Sequence, residues 1–317
     1  MDGFLVVDKP AGPTSHDVVA AVRRLTGERK VGHTGTLDPL ATGVLVLCLG
    51  EATKALPYLP EEEKIYRVEA RLGQSTETQD AAGRVIEDCR DCAVAHGELA
   101  AALQGFLGDS LQLPPMYSAV KVDGAPLYRS ARAGRTVERR PRPIKIKAIT
   151  LDWPSAEARP VLRYGDVFGF TVIGSRGMYV RTLCHDLGQR LGCGAHLVAL
   201  RRLASGPFRL EAAVTLEDLT RQVAASRLIA IGEALSHLPA VHLGAEHVAR
   251  VAHGNPVPAA PAGEVAETAR AVAPDGRTVA VLARREGYWQ PVRVFAAPAQ
   301  GPDVPKPAPS CPSLTGG

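Results

Sequence analysis

The 317-residue sequence predicts an α+β protein, made of a large domain and a small β-rich module. Strand-like and helix-like segments are mixed without the strict βα repeat of a doubly wound sheet. The length suits roughly two domains of about 150 residues each. The composition also changes near position 240, and the short β-like runs beyond it are separated by glycine and proline.

The N-terminal elements follow from apolar spacing and capping residues. A short apolar run at 4–7 ends in a turn-rich stretch of proline and glycine. Thr14 or Ser15 then supplies the N-cap of a helix that ends at Gly27. The apolar side chains predicted on one face of this helix are Val18, Val22 and Leu25.

Buried strands are predicted farther along the chain. Residues 44–49 form an apolar run between two glycines, and residues 65–72 alternate apolar and polar side chains. Residues 168–173 are a third candidate in the large domain. In the small module, the β-like runs are 279–282 and 292–295.

Two further helices are predicted from apolar stripes at helical spacing. The first covers 99–107 and is closed by Gly108. The second covers 179–191, and its apolar side consists of Val180, Leu183, Leu187 and Leu191.

The composition excludes several classes of protein. Hydrophobic residues make up 45% and charged residues 22%, which is ordinary for a globular chain. The longest apolar stretch is far shorter than the ~20 residues of a membrane helix, and no secretory signal is visible. Six scattered cysteines, with a lone Cys-x-x-Cys pair at Cys89 and Cys92, favour neither a disulfide framework nor a zinc site. We therefore expect a cytoplasmic protein without a bound metal.

Basic residues are concentrated in one segment. Residues 117–147, here called the basic segment, hold nine basic and two acidic residues, whereas the whole chain has a formal net charge of only +4. Such a patch suits a phosphate backbone, although a solvated basic face is the commoner alternative.

The most informative stretch is GHTGTLDPLATG at 32–43. Pro39 disfavours the α conformation for Asp38, so this carboxylate is expected on a bend just before the strand at 44–49. A rigid loop carboxylate in that position can be aimed into a cleft, although Asp-Pro pairs also cap turns. The glycine spacing matches neither the P-loop nor the dinucleotide fingerprint.

This stretch resembles the signature of the TruB family of bacterial tRNA pseudouridine synthases. Other blocks resemble the same family, in the same order, over about residues 3–210: DKP at 8–10, KIYRV at 64–68, PMYSAVK at 115–121, LYR at 127–129, SRGMYVRTL at 175–183, AHL at 195–197 and LRRL at 200–203. The sequence departs from the family pattern at Arg176, where lysine is usual, and at Met178, where threonine is usual. The resemblance implies the pseudouridine synthase fold, with a central mixed, largely antiparallel sheet flanked by helices and loops.

The family converts uridine 55 in the T-loop of tRNA to pseudouridine, with no cofactor. By resemblance, Asp38 is the catalytic aspartate, Tyr66 stacks on the uracil and helps to remove the C5 proton, and Arg181 pairs with the aspartate. We expect this pairing to lower the pKa of Asp38. Without the resemblance, Tyr66 would be interpreted as strand packing. Arg181 could then be a surface arginine, but an anion partner explains its placement better, because it falls near a helix N-terminus, where the dipole disfavours a cation.

Further residues are implied for substrate binding. His33 resembles a histidine that stacks in place of the extruded base, although a turn histidine can also bond locally. Leu200 resembles a pocket residue, Lys9 a lysine near the cleft, and Asp80 a position with a structural or RNA-contacting role. Tyr179 is also expected to contact substrate. The residues of the basic segment expected to hold tRNA phosphates are Arg139, Arg140 and Arg142.

We expect a catalytic domain at 1–238, a PUA-like RNA-binding domain at 239–296 and a disordered, proline-rich tail at 297–317. The predicted partner is the T-arm and T-loop of tRNA, bound by a monomer without a membrane or protein partner. Two alternatives stay open: an RNA-binding tRNA chaperone whose catalysis is dispensable, and a related synthase that works within a guide-RNA particle. The intact set of Asp38, Tyr66 and Arg181 favours an enzyme, and the basic segment favours the stand-alone form.

Overall fold

The computed structural model describes residues 1–60, 63–118, 120–122, 124–259 and 266–295. The chain divides into two compact units, Met1–Ala234 and Leu235–Gly317. The tail expected at 297–317 lies outside the described residues.

The first unit surrounds one large sheet. Its strands are β1 (Gly3–Lys9), β2 (Val31–His33), β3 (Thr42–Leu49), β4 (Lys64–Leu72), β5 (Gln74–Thr76), β6 (Val85–Asp88), β7 (Ala93–Ala95), β8 (Gly108–Gln112), β9 (Lys121–Val122), β10 (Ala125–Pro126), β11 (Arg142–Trp153), β12 (Val161–Arg163), β13 (Val167–Gly174), β14 (Ala195–Ser205), β15 (Phe208–Arg209) and β16 (Val214–Thr215). Its α-helices are α1 (Ser15–Thr26), α2 (His96–Gln104), α3 (Leu127–Arg132), α4 (Val180–Arg190), α5 (Arg221–Ser226) and α6 (Ile231–Ala234). Short 3-10 helices cover Gly50–Lys54, Leu56–Tyr58 and Leu210–Ala212.

Among the described residues, ten of these strands form the main sheet. Their order is β16-β1-β3-β14-β4-β13-β11-β8, with β2 paired to β3 and β15 paired to β14. The β1–β16 and β3–β14 pairs are parallel, and the others are antiparallel. The predicted α+β class with a mixed, largely antiparallel sheet is confirmed.

Helix α1 has the predicted ends but a different buried face. The Thr14 hydroxyl accepts a hydrogen bond from the Asp17 N–H, the Asp17 carboxylate accepts one from the Thr14 N–H, and Gly27 ends the helix at φ +71°. Leu25, predicted on the apolar face, is exposed, because the buried stripe is centred between Val18 and Val19 and leaves Leu25 at its edge.

The strand prediction at 65–72 is confirmed by β4, in which Tyr66, Val68 and Ala70 are buried. Helix α2 corrects the prediction at 99–107. The helix ends at Gln104 because Gly105 follows as its C-cap, and residues 105–107 continue as a turn. Gly108, at φ +92°, opens strand β8 instead of closing the helix.

The second unit contains a small sheet of its own. Its elements are β17 (Ala240–His242), α7 (Ala245–Ala252), β18 (Val257–Pro258), β19 (Thr268–Val272), β20 (Thr278–Arg285) and β21 (Tyr288–Val294). The strand order is β17-β19-β20-β21-β18, and Val251 of α7 belongs to the core formed with Leu282 and Trp289. Across the described parts of both units, no helix is long and apolar enough to cross a membrane.

Candidate active site

The loop that carries Asp38 lies between β2 and β3 and is held from several sides. The Ser15 hydroxyl holds both main-chain polar groups of Leu37. It accepts a hydrogen bond from the Leu37 N–H at 2.8 Å and donates one to the Leu37 carbonyl at 3.0 Å. The Ala41 N–H donates to the Asp38 carbonyl at 3.0 Å, which closes the turn into β3. Asp38 therefore stands on a rigid bend before a buried strand, as predicted.

Lys9 lies beneath this loop. Its side chain is fully buried at the end of β1, and its ammonium donates to the carbonyls of Pro10, Pro39 and Ala41 at 2.9, 3.3 and 2.7 Å. Burial lowers the pKa of Lys9 to about 8. The three carbonyls use all three N–H donors, so in this structure Lys9 holds the loop from below.

Asp38 forms an ion pair with Arg181, although the two residues are far apart in the sequence. Arg181 is the second residue of α4, and its Nε lies 2.8 Å from Asp38 Oδ2. Its Nη1 lies 3.5 Å from Asp80 Oδ2. Its guanidinium also donates to the Thr78 carbonyl at 3.0 Å and to the Tyr117 carbonyl at 2.7 Å. The structure therefore brings together the predicted pair and adds Asp80 as a second carboxylate.

Burial raises the pKa of the Asp38 carboxyl above its ordinary value. The Arg181 guanidinium opposes this shift, and the nearby Asp80 carboxylate adds to it. Pairing with Arg181 lowers the pKa of Asp38, as predicted, but the net shift is upward, because burial of the carboxylate outweighs the attraction of the arginine.

Asp38 faces a cavity of about 370 Å³. Tyr66 and Leu200 line it from the adjacent strands β4 and β14, in which Leu200 is paired with Val68 and Tyr66 with Arg202. Both side chains are mostly buried and lie on the same face of the sheet. The other residues that line the cavity are Thr34, Gly35, Thr36, Leu37, Lys64, Ser118, Val120, Arg142, Arg176, Gly177, Met178, Tyr179, Val180 and Arg181.

Tyr179 lines this cavity from the N-cap position of α4. Its main-chain N–H donates to the Gln112 side-chain oxygen at 2.7 Å, and its carbonyl accepts from the Gln112 side-chain nitrogen at 3.0 Å. Burial raises the pKa of the Tyr179 hydroxyl. The two hydrogen bonds fix the start of the helix that presents Arg181.

His33 does not line the Asp38 cavity. It lines a second cavity of about 850 Å³, which shares Thr34 and Arg176 with the first. The His33 ring packs edge-on against the ring of His16, with 5.5 Å between centroids. Its buried Nδ1 has no hydrogen-bond partner among the described residues, and burial lowers its pKa.

The predicted phosphate-binding arginines occupy different positions. Arg142 is exposed at the start of β11 and lines the Asp38 cavity, so the end of the basic segment belongs to the main sheet. Arg139 donates to the Pro114 carbonyl at 2.9 Å, and Arg140 is exposed.

Four residues around Asp38 received no role from the sequence: Lys64, Ser118, Arg176 and Arg202. All four lie within blocks that resemble the family, which is the signal that could have identified them. In the described part of the chain, no group of three or more histidine, cysteine, aspartate or glutamate side chains could hold a metal ion.

Family models match consecutive parts of the chain. The model described as TruB family pseudouridylate synthase (N terminal domain) matches residues 23–180. The tRNA pseudouridylate synthase B C-terminal domain matches residues 181–237, and tRNA pseudouridine synthase II, C terminal, matches residues 238–296.

Sequence similarity to curated relatives extends over nearly the whole chain. The tRNA pseudouridine synthase B of Geobacter sulfurreducens is 46% identical over 299 residues, which cover 91% of this chain and 95% of the relative. That of Thermobifida fusca is 45% identical over 301 residues, covering 93% of this chain and 99% of the relative.

Solved structures share the fold. The crystal structure of a Cbf5–Nop10–Gar1 complex matches with a TM-score of 0.68 and 28% identity, covering 93% of this chain and 85% of that chain. The structure of an H/ACA RNP bound to a substrate RNA containing 2′-deoxyuridine matches with a TM-score of 0.69 and 25% identity, covering 95% and 87%.

Proposed function

The chain belongs to the TruB family of pseudouridine synthases, and we propose that it converts uridine 55 in the T-loop of tRNA to pseudouridine with Asp38 as the catalytic carboxylate. In this isomerisation the C1′–N1 bond breaks, the uracil turns and a C1′–C5 bond forms, while C5 loses a proton and N1 gains one. The observation that carries the proposal is the Asp38–Arg181 ion pair, 2.8 Å long, beside the cavity that Tyr66 and Leu200 line.

The size and lining of the cavity suit a single extruded base. A base inside the T-loop cannot be reached in place, so the enzyme must flip the nucleotide out at a cost of a few kcal/mol. The volume of about 370 Å³ falls at the lower end of small-ligand sites. The Tyr66 ring and the Leu200 side chain provide apolar surfaces against the uracil, and the Tyr66 hydroxyl is the group we assign to removal of the C5 proton.

Asp38 must be ionised and aimed to act in this reaction. A carboxylate can attack the sugar, attack the base or remove a proton from the sugar, and each of these roles uses the negative charge. Arg181 holds the carboxylate through Nε, while Asp80 and two main-chain carbonyls hold the guanidinium in turn. The arginine thereby orients Asp38 and opposes the rise of its pKa caused by burial.

Cationic side chains at the cavity suit an RNA substrate. Arg142 and Arg176 are exposed and line the cavity, where they can position phosphates next to the target uridine. We also propose that the protein works as a stand-alone monomer in the cytoplasm, where its proposed substrate is found. The 45–46% identity to tRNA pseudouridine synthase B relatives supports this form over one that works within an RNA–protein particle, because the solved Cbf5–Nop10–Gar1 and H/ACA RNP structures are only 25–28% identical.

Release of tritium from a T-arm hairpin that carries 5-tritiated uridine tests the proposal. We expect the wild type to release tritium from position 55 and Asp38→Asn to release none while it still binds the RNA, because the amide has neither the charge nor the nucleophilic oxygen. Asp91→Asn, in an exposed turn of the same unit, is the matched control and should keep full activity.

A hairpin with cytidine at position 55 and tritiated uridine elsewhere tests the choice of nucleotide and should give no release. Full activity of Asp38→Asn would rule out its catalytic role. If the wild type bound and refolded tRNA without releasing tritium, the chaperone alternative would replace the enzyme.

A further inference from the structure

Arg202 is a fully buried arginine that lies between the main sheet and the Asp38 loop. It belongs to β14, and only 1% of its surface is exposed. Its backbone pairs with Tyr66 of β4 on one side and with Gly43 of β3 on the other. Gly43 has φ +96°, and a Cβ there would collide with the Arg202 carbonyl, so the two strands approach closely at the point where the Asp38 loop enters β3.

The Arg202 guanidinium binds the main chain on both sides of Asp38. Nη2 donates to the Gly35 carbonyl at 3.0 Å, and Nε donates to the Val44 carbonyl at 2.6 Å. Gly35 precedes Asp38 by three residues, and Val44 follows it by six. Arg202 therefore joins the entry and the exit of the loop to a single rigid side chain.

Among the residues that the structure describes, no carboxylate lies within ion-pair distance of Arg202. An arginine cannot shed its charge on burial, and burial of an ion without a counter-charge is expensive. An apolar side chain would fill a core position between strands without that expense. The contacts that the guanidinium makes are with the loop and its exit strand, which indicates a role tied to the loop.

We propose that Arg202 is a positioning residue for the isomerisation proposed above: its guanidinium fixes the Gly35–Val44 segment so that Asp38 meets Arg181 and the uracil in reactive geometry. The inference rests on the proposed function. Arg202 does not line the cavity, so its effect reaches the substrate through the loop. Misplacement of a reacting group by about 1 Å can lower a rate by about 100-fold.

Arg201 supplies a matched control. It is the neighbouring residue of β14, and its guanidinium also joins strands, through Asp8 Oδ2 at 2.7 Å and the Thr42 hydroxyl at 3.3 Å. Successive side chains of a strand point to opposite faces, so Arg201 is expected to support the sheet without holding the Gly35 carbonyl.

The test compares Arg202→Met, Arg202→Lys and Arg201→Met with the wild type. Single-turnover tritium release at saturating enzyme measures the chemical step, a binding assay gives the Kd for the T-arm hairpin, and thermal unfolding gives Tm. We expect both methionine variants to lower Tm. We expect Arg202→Met to slow the chemical step at least about tenfold, with Kd within about threefold of the wild type. Arg201→Met should keep the single-turnover rate within about threefold of the wild type. Arg202→Lys keeps the charge but loses the fork of donors, so its rate should lie between those of Arg202→Met and the wild type.

Hydrogen–deuterium exchange provides a readout independent of activity. Amides of residues 35–44 should exchange faster in the Arg202 variants than in Arg201→Met. If Arg202→Met fails to fold, the rate and the exchange of Arg202→Lys decide the question. A wild-type rate in Arg202→Lys or Arg202→Met, or an equal slowing in Arg201→Met, would overturn the positioning role. If the wild-type protein released no tritium, the proposed function would fail, and exchange would then show by itself whether Arg202 orders the loop.

Discussion

Substitution of Arg181 by methionine would remove the ion pair with Asp38 and the other polar contacts of this side chain at the candidate site. The Arg181 side chain is 5% exposed, and its Nε lies 2.8 Å from Asp38 Oδ2. The other nitrogens reach Asp80 and the carbonyls of Thr78 and Tyr117. Methionine has a similar length but no donors, so Arg181→Met leaves two carboxylates and two carbonyl oxygens without this partner.

The size of the destabilisation follows from burial. Removal of one partner from a buried ion pair costs about 3–5 kcal/mol. Two features reduce this value, because the Asp38 side chain is 35% exposed to water and because its raised pKa allows it to take up a proton. We therefore expect the free energy of unfolding to fall by about 2–3 kcal/mol. In a unit of this size, that change lowers Tm by about 4–12 °C.

Denaturant and thermal unfolding at pH 7, followed by circular dichroism, measure this difference. Arg190→Met is the matched control, because Arg190 lies at the other end of α4, is exposed, and contacts the Ala102 carbonyl and the Phe106 ring. It should cost about 1 kcal/mol or less. Equal free energies of unfolding for Arg181→Met and Arg190→Met would refute the stabilising role of the buried ion pair.

Two further predictions concern pH and salt. Activity should be lost as the pH falls through the pKa of Asp38, and since burial raises that pKa, the acid limb of kcat/KM should lie above the ordinary aspartate value of about 3.9. The limb should move higher still in Arg181→Met, and a limb at or below the ordinary value would contradict the assignment. Replacement of Arg139, Arg140 and Arg142 in the basic segment by glutamine should weaken T-arm binding and reduce the slope of log K against log salt by about 0.7–0.9 for each phosphate that is no longer neutralised. Filter binding between about 50 and 200 mM salt measures the slope. An unchanged slope would mean that Arg139, Arg140 and Arg142 form only a solvated face.

Local features of this chain were predictable because their causes are local. The ends of α1 follow from Thr14 and Gly27, whose capping and left-handed conformations depend on neighbours within a few residues. The alternation of β4 determined which side chains are buried, including Tyr66. Pro39 placed Asp38 on a bend before a strand for the same kind of reason. The family resemblance, carried by contiguous blocks, then joined Asp38 to Arg181.

Tertiary structure decided what depends on groups brought together from distant positions. The pKa of Asp38 rises because the fold buries much of its carboxylate and places Asp80 nearby, and no spacing rule reports that balance. Arg202 can bond to the Asp38 loop only because the fold brings the Gly35 carbonyl next to β14. His33 lines the second cavity, and this too is visible only in the folded chain. The sequence alone determined the elements, the family and the candidate reacting residues, because propensities and motifs act over short spans. The electrostatics and support of the site arise from long-range burial, which exists only once the sheet has formed.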